Sequence, residues 1–129
     1  MSPDAIPADI AQFILEKIDS VAEMEALLLL HRSPGQEWDV AAVAKRLYVD
    51  DRQAHAALAR LVEEKLLVTR PNDPTRFLCS SGAPELKTLF DRVSEVYSKQ
   101  LVPVTNLIHS KPKTRVQEFA DAFKFRKDD

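Results

Sequence analysis

The chain has 129 residues, of which 45% are hydrophobic and 29% charged, with a formal net charge of −2. That size and apolar content allow one domain with a real core, with room for a helical extension. With only two glycines, the composition excludes a disordered or collagen-like chain and points to a helix-rich soluble protein.

No run of about 18 apolar residues is present, so no transmembrane span is expected. The N-terminal MSPDAIPADI has neither the basic region nor the apolar region of a signal peptide. Cys79 is the lone cysteine and cannot form an internal disulfide. These features fit a reducing, cytoplasmic setting.

The charge is unevenly spread. Residues 1–38 carry 2 basic and 7 acidic side chains, residues 39–79 carry 7 and 6, and residues 80–129 carry 9 and 7. The centre is therefore near neutral, whereas a dedicated DNA reader shows a basic face.

In chain order, residues 1–5 read as a loose terminus. Ile6, Ile10, Phe13, Ile14 and Ile18 then fall on one face of a helix, with Pro7 suited to its first turn. Ser20 followed by Glu23 is a capping-box pattern that starts a second helix near Val21. Met24, Leu27, Leu28 and Leu30 bury that helix on several sides, and Ser33-Pro34-Gly35 ends it.

Trp38 is expected in a short extended entry, and Asp39 as the N-cap of a third helix that turns Val40, Val43, Ala44 and Leu47 inward. Tyr48-Val49-Asp50 forms a tight turn, with Val49 inward and Asp50 capping a fourth helix. Ala54, Ala57, Leu58, Leu61 and Val62 face inward on that helix, which ends near Glu64-Lys65. Leu66 to Arg70 is a strand, Pro71-Asn72-Asp73-Pro74 a turn, and Arg76 to Cys79 the return strand.

After a Ser81 to Pro84 linker, Leu86, Leu89, Phe90, Val93, Val96, Tyr97, Leu101, Val104, Leu107 and Ile108 repeat on a 3-4 spacing. This predicts one helix kinked at Pro103. A last helix is expected from Thr114 to Phe123, with Val116, Phe119, Ala120 and Phe123 on one face. The fold class is therefore mainly α with a small β-wing, a winged helix-turn-helix with N- and C-terminal helical extensions. Residues 1–82 form the winged-helix domain with its N-terminal helices. Residues 83–129 form a C-terminal helical extension for dimerisation or partner binding.

The segment DVAAVAKRLYVDDRQAHAALARLVEEKLLVTR resembles the helix-turn-helix and wing entry of MarR-like and related bacterial winged-helix regulators. The likeness rests on VAKRL, on the turn residue Val49, on LARLVEEKLL with Leu58, Leu61 and Leu66, and on Arg70 at the wing. Through SVAEMEALLLL, RLYVDD, KQLVPVTNLIHSKP and FADAFKFRK, the whole chain is similar to a group of small bacterial winged-helix proteins. The resemblance implies a bacterial cytoplasmic regulator and, since MarR-like proteins pair through their terminal helices, a homodimer.

If the fourth helix is a recognition helix, Arg52 and Gln53 lie near its N-terminus, where such helices meet base edges. Arg pairs with guanine and Gln with adenine in the major groove. His55 and Arg60 belong to the same candidate set, and Arg70 and Arg76 on the wing are placed for phosphates. Against this stand Asp50 and Asp51 at the helix start and the alanines of the outward stripe, which read no bases and suit a protein surface.

The alternative is thus a protein-interaction module that does not bind DNA. It would use the Ala-rich helix face and a tail in which Phe119, Phe123 and Phe125 are the partner-binding candidates. Lys111, Lys113, Arg115, Lys124, Arg126 and Lys127 make that tail the most basic part of the chain.

His31, His55 and His109 are widely spaced, and no metal-ligand spacing or Gly-rich phosphate loop is present. No metal, cofactor or catalytic residue is therefore expected, and no membrane partner.

Overall fold

Three polar side chains set where three of the helices begin. Ser20 Oγ accepts from the Glu23 amide (3.1 Å), Asp39 Oδ1 from the Ala42 amide (2.8 Å) and Asp50 Oδ1 from the Gln53 amide (2.7 Å). Each satisfies an amide that the first helical turn leaves without a partner.

The computed structural model describes residues 6–79 and 84–110. Their element order is α1 (Ala8–Lys17), α2 (Val21–His31), α3 (Val40–Leu47), α4 (Asp51–Glu63), β1 (Leu67–Arg70), β2 (Asp73–Cys79), α5 (Pro84–Lys99) and α6 (Leu101–Ser110). This is mainly α with a two-stranded antiparallel wing, the winged helix-turn-helix that the pattern predicts. The helix expected over Thr114 to Phe123, with Phe119, Phe123 and Phe125, lies outside the described residues, as do residues 1–5 and 80–83.

One hydrophobic cluster runs through all the helices and the wing. It joins Ile10 and Ile14 of α1, Met24, Leu27, Leu28 and Leu30 of α2, Val43 of α3, and Leu58 and Leu61 of α4. Leu67 and Phe77 of the wing, Phe90 and Val93 of α5, and Val104 and Ile108 of α6 complete it. α2 is buried on several sides, as its leucine run implies. α4 buries only one side, made of Ala54, Ala57, Leu58 and Leu61.

Trp38 forms an isolated antiparallel bridge with Phe77, each amide donating to the other's carbonyl (2.9 and 2.7 Å). The wing is thereby tied to the entry of α3. Val49 in the turn is half-buried and packs against the core.

Two expectations change. The turn of the wing is shorter and the return strand longer: β2 begins at Asp73 and takes in Pro74. The register slips between Thr69, opposite Phe77, and Arg70, opposite Asp73, so the extra residues are absorbed by a bulge. Pro74 is exposed and lies in that bulge, opposite no residue of β1, where its missing N–H is tolerated.

The C-terminal helix is also broken at Gln100 rather than kinked at Pro103, giving α5 and α6 as separate helices. A proline ring clashes with the carbonyl four residues earlier, here Lys99, the last residue of α5. Pro103 itself sits in the first turn of α6, where no amide is needed. The break turns Leu101 out of the stripe and leaves it 51% exposed.

Charged side chains tie α5 to the N-terminal helices. Arg92 grips Asp9 with both terminal nitrogens, and His31 Nε2 donates to Asp91 Oδ1 (2.7 Å). The hydrogen bond from Arg92 holds the Asp9 carboxyl below its ordinary 3.8. Bonds from Lys87 and His31 do the same for Asp91.

A carboxyl with a depressed folded pKa contributes stability that is complete above its unfolded value and lost as pH falls through the folded one. Thermal melts should therefore show a drop in Tm as pH is lowered below 3.8. The drop should be smaller in the double variant Asp9→Asn, Asp91→Asn. Equal drops would mean that these pairs do not stabilise the α5 seam.

Candidate nucleic-acid interface

The exposed side of α4 follows from which side is buried. With Ala54, Ala57, Leu58 and Leu61 inward, a period of 3.6 residues puts Arg52, Ala56, Ala59 and Glu63 at the centre of the outward face. His55 and Gln53 take opposite flanks of that face. All six are exposed. Arg52 and Gln53 occupy the first turn, and Asp50 caps it through the Gln53 amide. Of the expected set, Arg52, Gln53 and His55 thus share one accessible end of one helix.

Arg60 does not join them. It sits on the α4 flank that meets the N-terminal helices, where Nη2 pairs with Asp19 Oδ2 (2.7 Å) and Nη1 with Glu64 Oε2 (3.1 Å). Its Nε lies 3.9 Å from Glu23 Oε2. Lys17 of α1 reaches Glu64 as well (3.2 Å).

Burial works against the Arg60 charge, but Asp19, Glu23 and Glu64 outweigh it and hold its pKa above the ordinary value. Glu23 is itself only 6% exposed, and its carboxylate also accepts from the Asp19 amide (3.0 Å). The physical reason for the reassignment is this carboxylate cluster, which claims the guanidinium from inside the fold.

The wing arginines are exposed but engaged. Arg70 Nε lies 3.2 Å from Glu37 Oε2. Arg76 lies between Asp39 (3.7 Å) and Asp73 (3.8 Å). Each must leave a carboxylate to meet a phosphate. Such exposed pairs contribute about 0–1 kcal/mol, so the exchange is cheap, but it reduces the positive potential of the wing.

Three cations near this face escaped the sequence reading. Lys45 on α3 and Lys65 after α4 join Arg52 in making no ion pair among the described residues. Arg46 lies over the Trp38 ring (5.5 Å), a cation–π contact that holds it beside the wing. Spacing alone could not separate these from Arg60, because the difference is set by which helix packs opposite.

Away from α4, a cavity of about 350 Å³ opens between the end of α2, Cys79 and α5. His31 and Lys87 in its lining both bond Asp91, and Arg32 donates to the Ser94 hydroxyl. Burial pushes the Cys79 thiol up, which disfavours the reactive thiolate. Among the described residues no group of three or more His, Cys, Asp or Glu could hold a metal ion, and no helix is long and apolar enough to cross a membrane.

No family model matches the chain, and no curated protein matches it. Among solved structures it is similar to YusO from Bacillus subtilis (16% identity, TM-score 0.48, 92% of this chain and 83% of that one). It is also similar to Bordetella bronchiseptica BpsR, whose DNA binding is regulated by 6-hydroxynicotinic acid (16% identity, TM-score 0.48, 92% and 84%). A third is a mutant of Lactococcus lactis ZitR (19% identity, TM-score 0.48, 92% and 87%). The fold assignment rests on the chain's own element order and wing register.

Arg60→Ala should lower unfolding free energy by about 1–3 kcal/mol, because Asp19, Glu23 and Glu64 then face one another without the guanidinium between them. Urea melts at pH 7 measure this. The same variant should keep any nucleic-acid affinity under conditions where it is folded. A stable Arg60→Ala protein with weakened DNA binding would return Arg60 to the interface.

Proposed function

We propose that this chain binds duplex DNA through its winged helix-turn-helix and acts as a transcriptional regulator. One observation carries the reading. The first turn of α4 presents Arg52 and Gln53 to solvent, with the Arg52 guanidinium unpaired among the described residues and the opposite side of the helix fixed in the core. In this mechanism α4 enters the major groove by its N-terminus, Arg52 and Gln53 meet base edges, and His55 lies alongside. Arg70 and Arg76 exchange their carboxylates for backbone phosphates as the wing settles.

The reading includes pairing of two copies through the helical termini, the 83–129 extension among them. A two-fold dimer presents two recognition helices to two half-sites. Leu101 and Val102, 51% and 65% exposed, support an apolar contact at that end.

A second reading, a protein-interaction module without DNA affinity, is favoured by the neutralised wing arginines and by the exposed Ala56 and Ala59. Phe119, Phe123 and Phe125 belong to that reading as partner anchors.

Fluorescence polarisation with random duplex DNA over a salt series separates the two. DNA binding that weakens steeply with salt is expected, because cations that meet phosphates release counterions. Absence of binding at about 50 mM salt sinks the regulator reading. On a selected site, Arg52→Ala should lose about 1–3 kcal/mol of binding, the worth of a good base contact. A loss equal on all sequences would make Arg52 a phosphate contact instead.

A further inference from the structure

Tyr48 combines two unfavourable features. It ends α3 in the left-handed region (φ 58°, ψ 43°), where Cβ crowds the following carbonyl and glycine or asparagine is the usual occupant. Its side chain is 94% exposed, so the ring gains no burial. The phenol has no hydrogen bond and the ring no stacking partner among the described residues.

The backbone geometry itself is needed. The Tyr48 and Val49 amides both donate to the Ala44 carbonyl, which turns the chain so that Val49 meets the core and Asp50 caps α4. That need is met better by glycine. Nothing among the described residues rewards a tyrosine here, and a residue held at such a cost is a pointer to a role outside the molecule.

We infer that Tyr48 contacts DNA, its phenol donating a hydrogen bond to a backbone phosphate beside the groove that α4 enters. This rests on the DNA-binding reading above and deepens it. Tyr48 lies four residues before Arg52, on the turn that leads into the recognition helix. Helix N-terminal residues reach base edges, while donors beside them, tyrosine hydroxyls included, meet phosphate oxygens.

The unpaired cations Lys45 and Arg52 bracket the turn in sequence, with the exposed carboxylates Asp50 and Asp51 opposing them, so the donor that this turn offers a phosphate is the neutral phenol. A neutral phenol on a phosphate carries no sequence information and releases no counterion.

The test uses the full chain, labelled random-sequence duplex and polarisation across a salt series, with melting curves for each variant. Tyr48→Phe keeps ring and backbone and removes only the hydroxyl. It should bind about three- to tenfold more weakly at every salt concentration, the worth of one net hydrogen bond, with the wild-type salt slope and an unchanged Tm. Tyr48→Gly should bind at least as weakly, with a Tm equal to or above wild type because the left-handed strain is gone.

Tyr48→Phe at wild-type affinity overturns this inference and leaves the DNA reading standing. A wild-type chain that fails to bind at about 50 mM salt overturns both.

Discussion

The one-sided burial of α4 is the constraint on which the rest of the structure depends. Leu58 and Leu61 are fully buried and fix the helix against α2 and α3, and the charges beside them fix its rotation. Arg60 on the flank of α4 is held by Asp19 from the link between α1 and α2, by Glu23 in the first turn of α2 and by its own neighbour Glu64. A helix packed only through leucines can slide or roll at small cost. One whose guanidinium is held among three carboxylates, Asp19, Glu23 and Glu64, rolls only by giving up those pairs. The ends of α4 are set as firmly, by the Asp50 cap at one and by Lys65, with φ 64°, at the other. What remains outward is determined by this clamp: Arg52, Ala56, Ala59 and Glu63.

The same clamp explains the electrostatic character of the exposed face. The central segment has nearly as many acids as bases, and among the described residues the fold puts Arg60, Arg70 and Arg76 of the bases and Asp39, Glu64 and Asp73 of the acids into ion pairs. Glu37 and Asp39, at the entry to α3, stand against Arg70 and Arg76 because the Trp38–Phe77 bridge brings that entry onto the wing. Among the described residues, the cations without an ion pair include Lys45, Arg52 and Lys65 of the helix-turn-helix.

The α5 and α6 helices are integrated with this body. Phe90, Val93, Val104 and Ile108 enter the same cluster as the helix-turn-helix, and Tyr97 donates to Glu25 on α2 (2.9 Å). Burial, with the Glu25 carboxylate beside it, pushes the Tyr97 phenol up, so it stays a neutral donor across the physiological range.

Much of the fold was legible in local chemistry. The caps Ser20, Asp39 and Asp50, the apolar periods of α1 to α4, and a hairpin after Leu66 all follow from residue type and spacing, because each depends on neighbours within a few positions. Candidates on α4 were legible as a group, since helical periodicity places Arg52, Gln53 and His55 away from the leucines. Their sorting was not. Arg60 carries the same local signal as Arg52, and only the packing of α2 against α4 shows that Asp19 and Glu23 claim it. Likewise Pro103 announces an interruption, but whether it bends one helix or separates two depends on the carbonyl of Lys99 and on what α6 packs against. The sequence by itself determined which elements form and where they start. The tertiary structure decided which charges are spent inside the fold and which are left to meet a partner, because ion pairs between residues some forty positions apart exist only once the helices have docked.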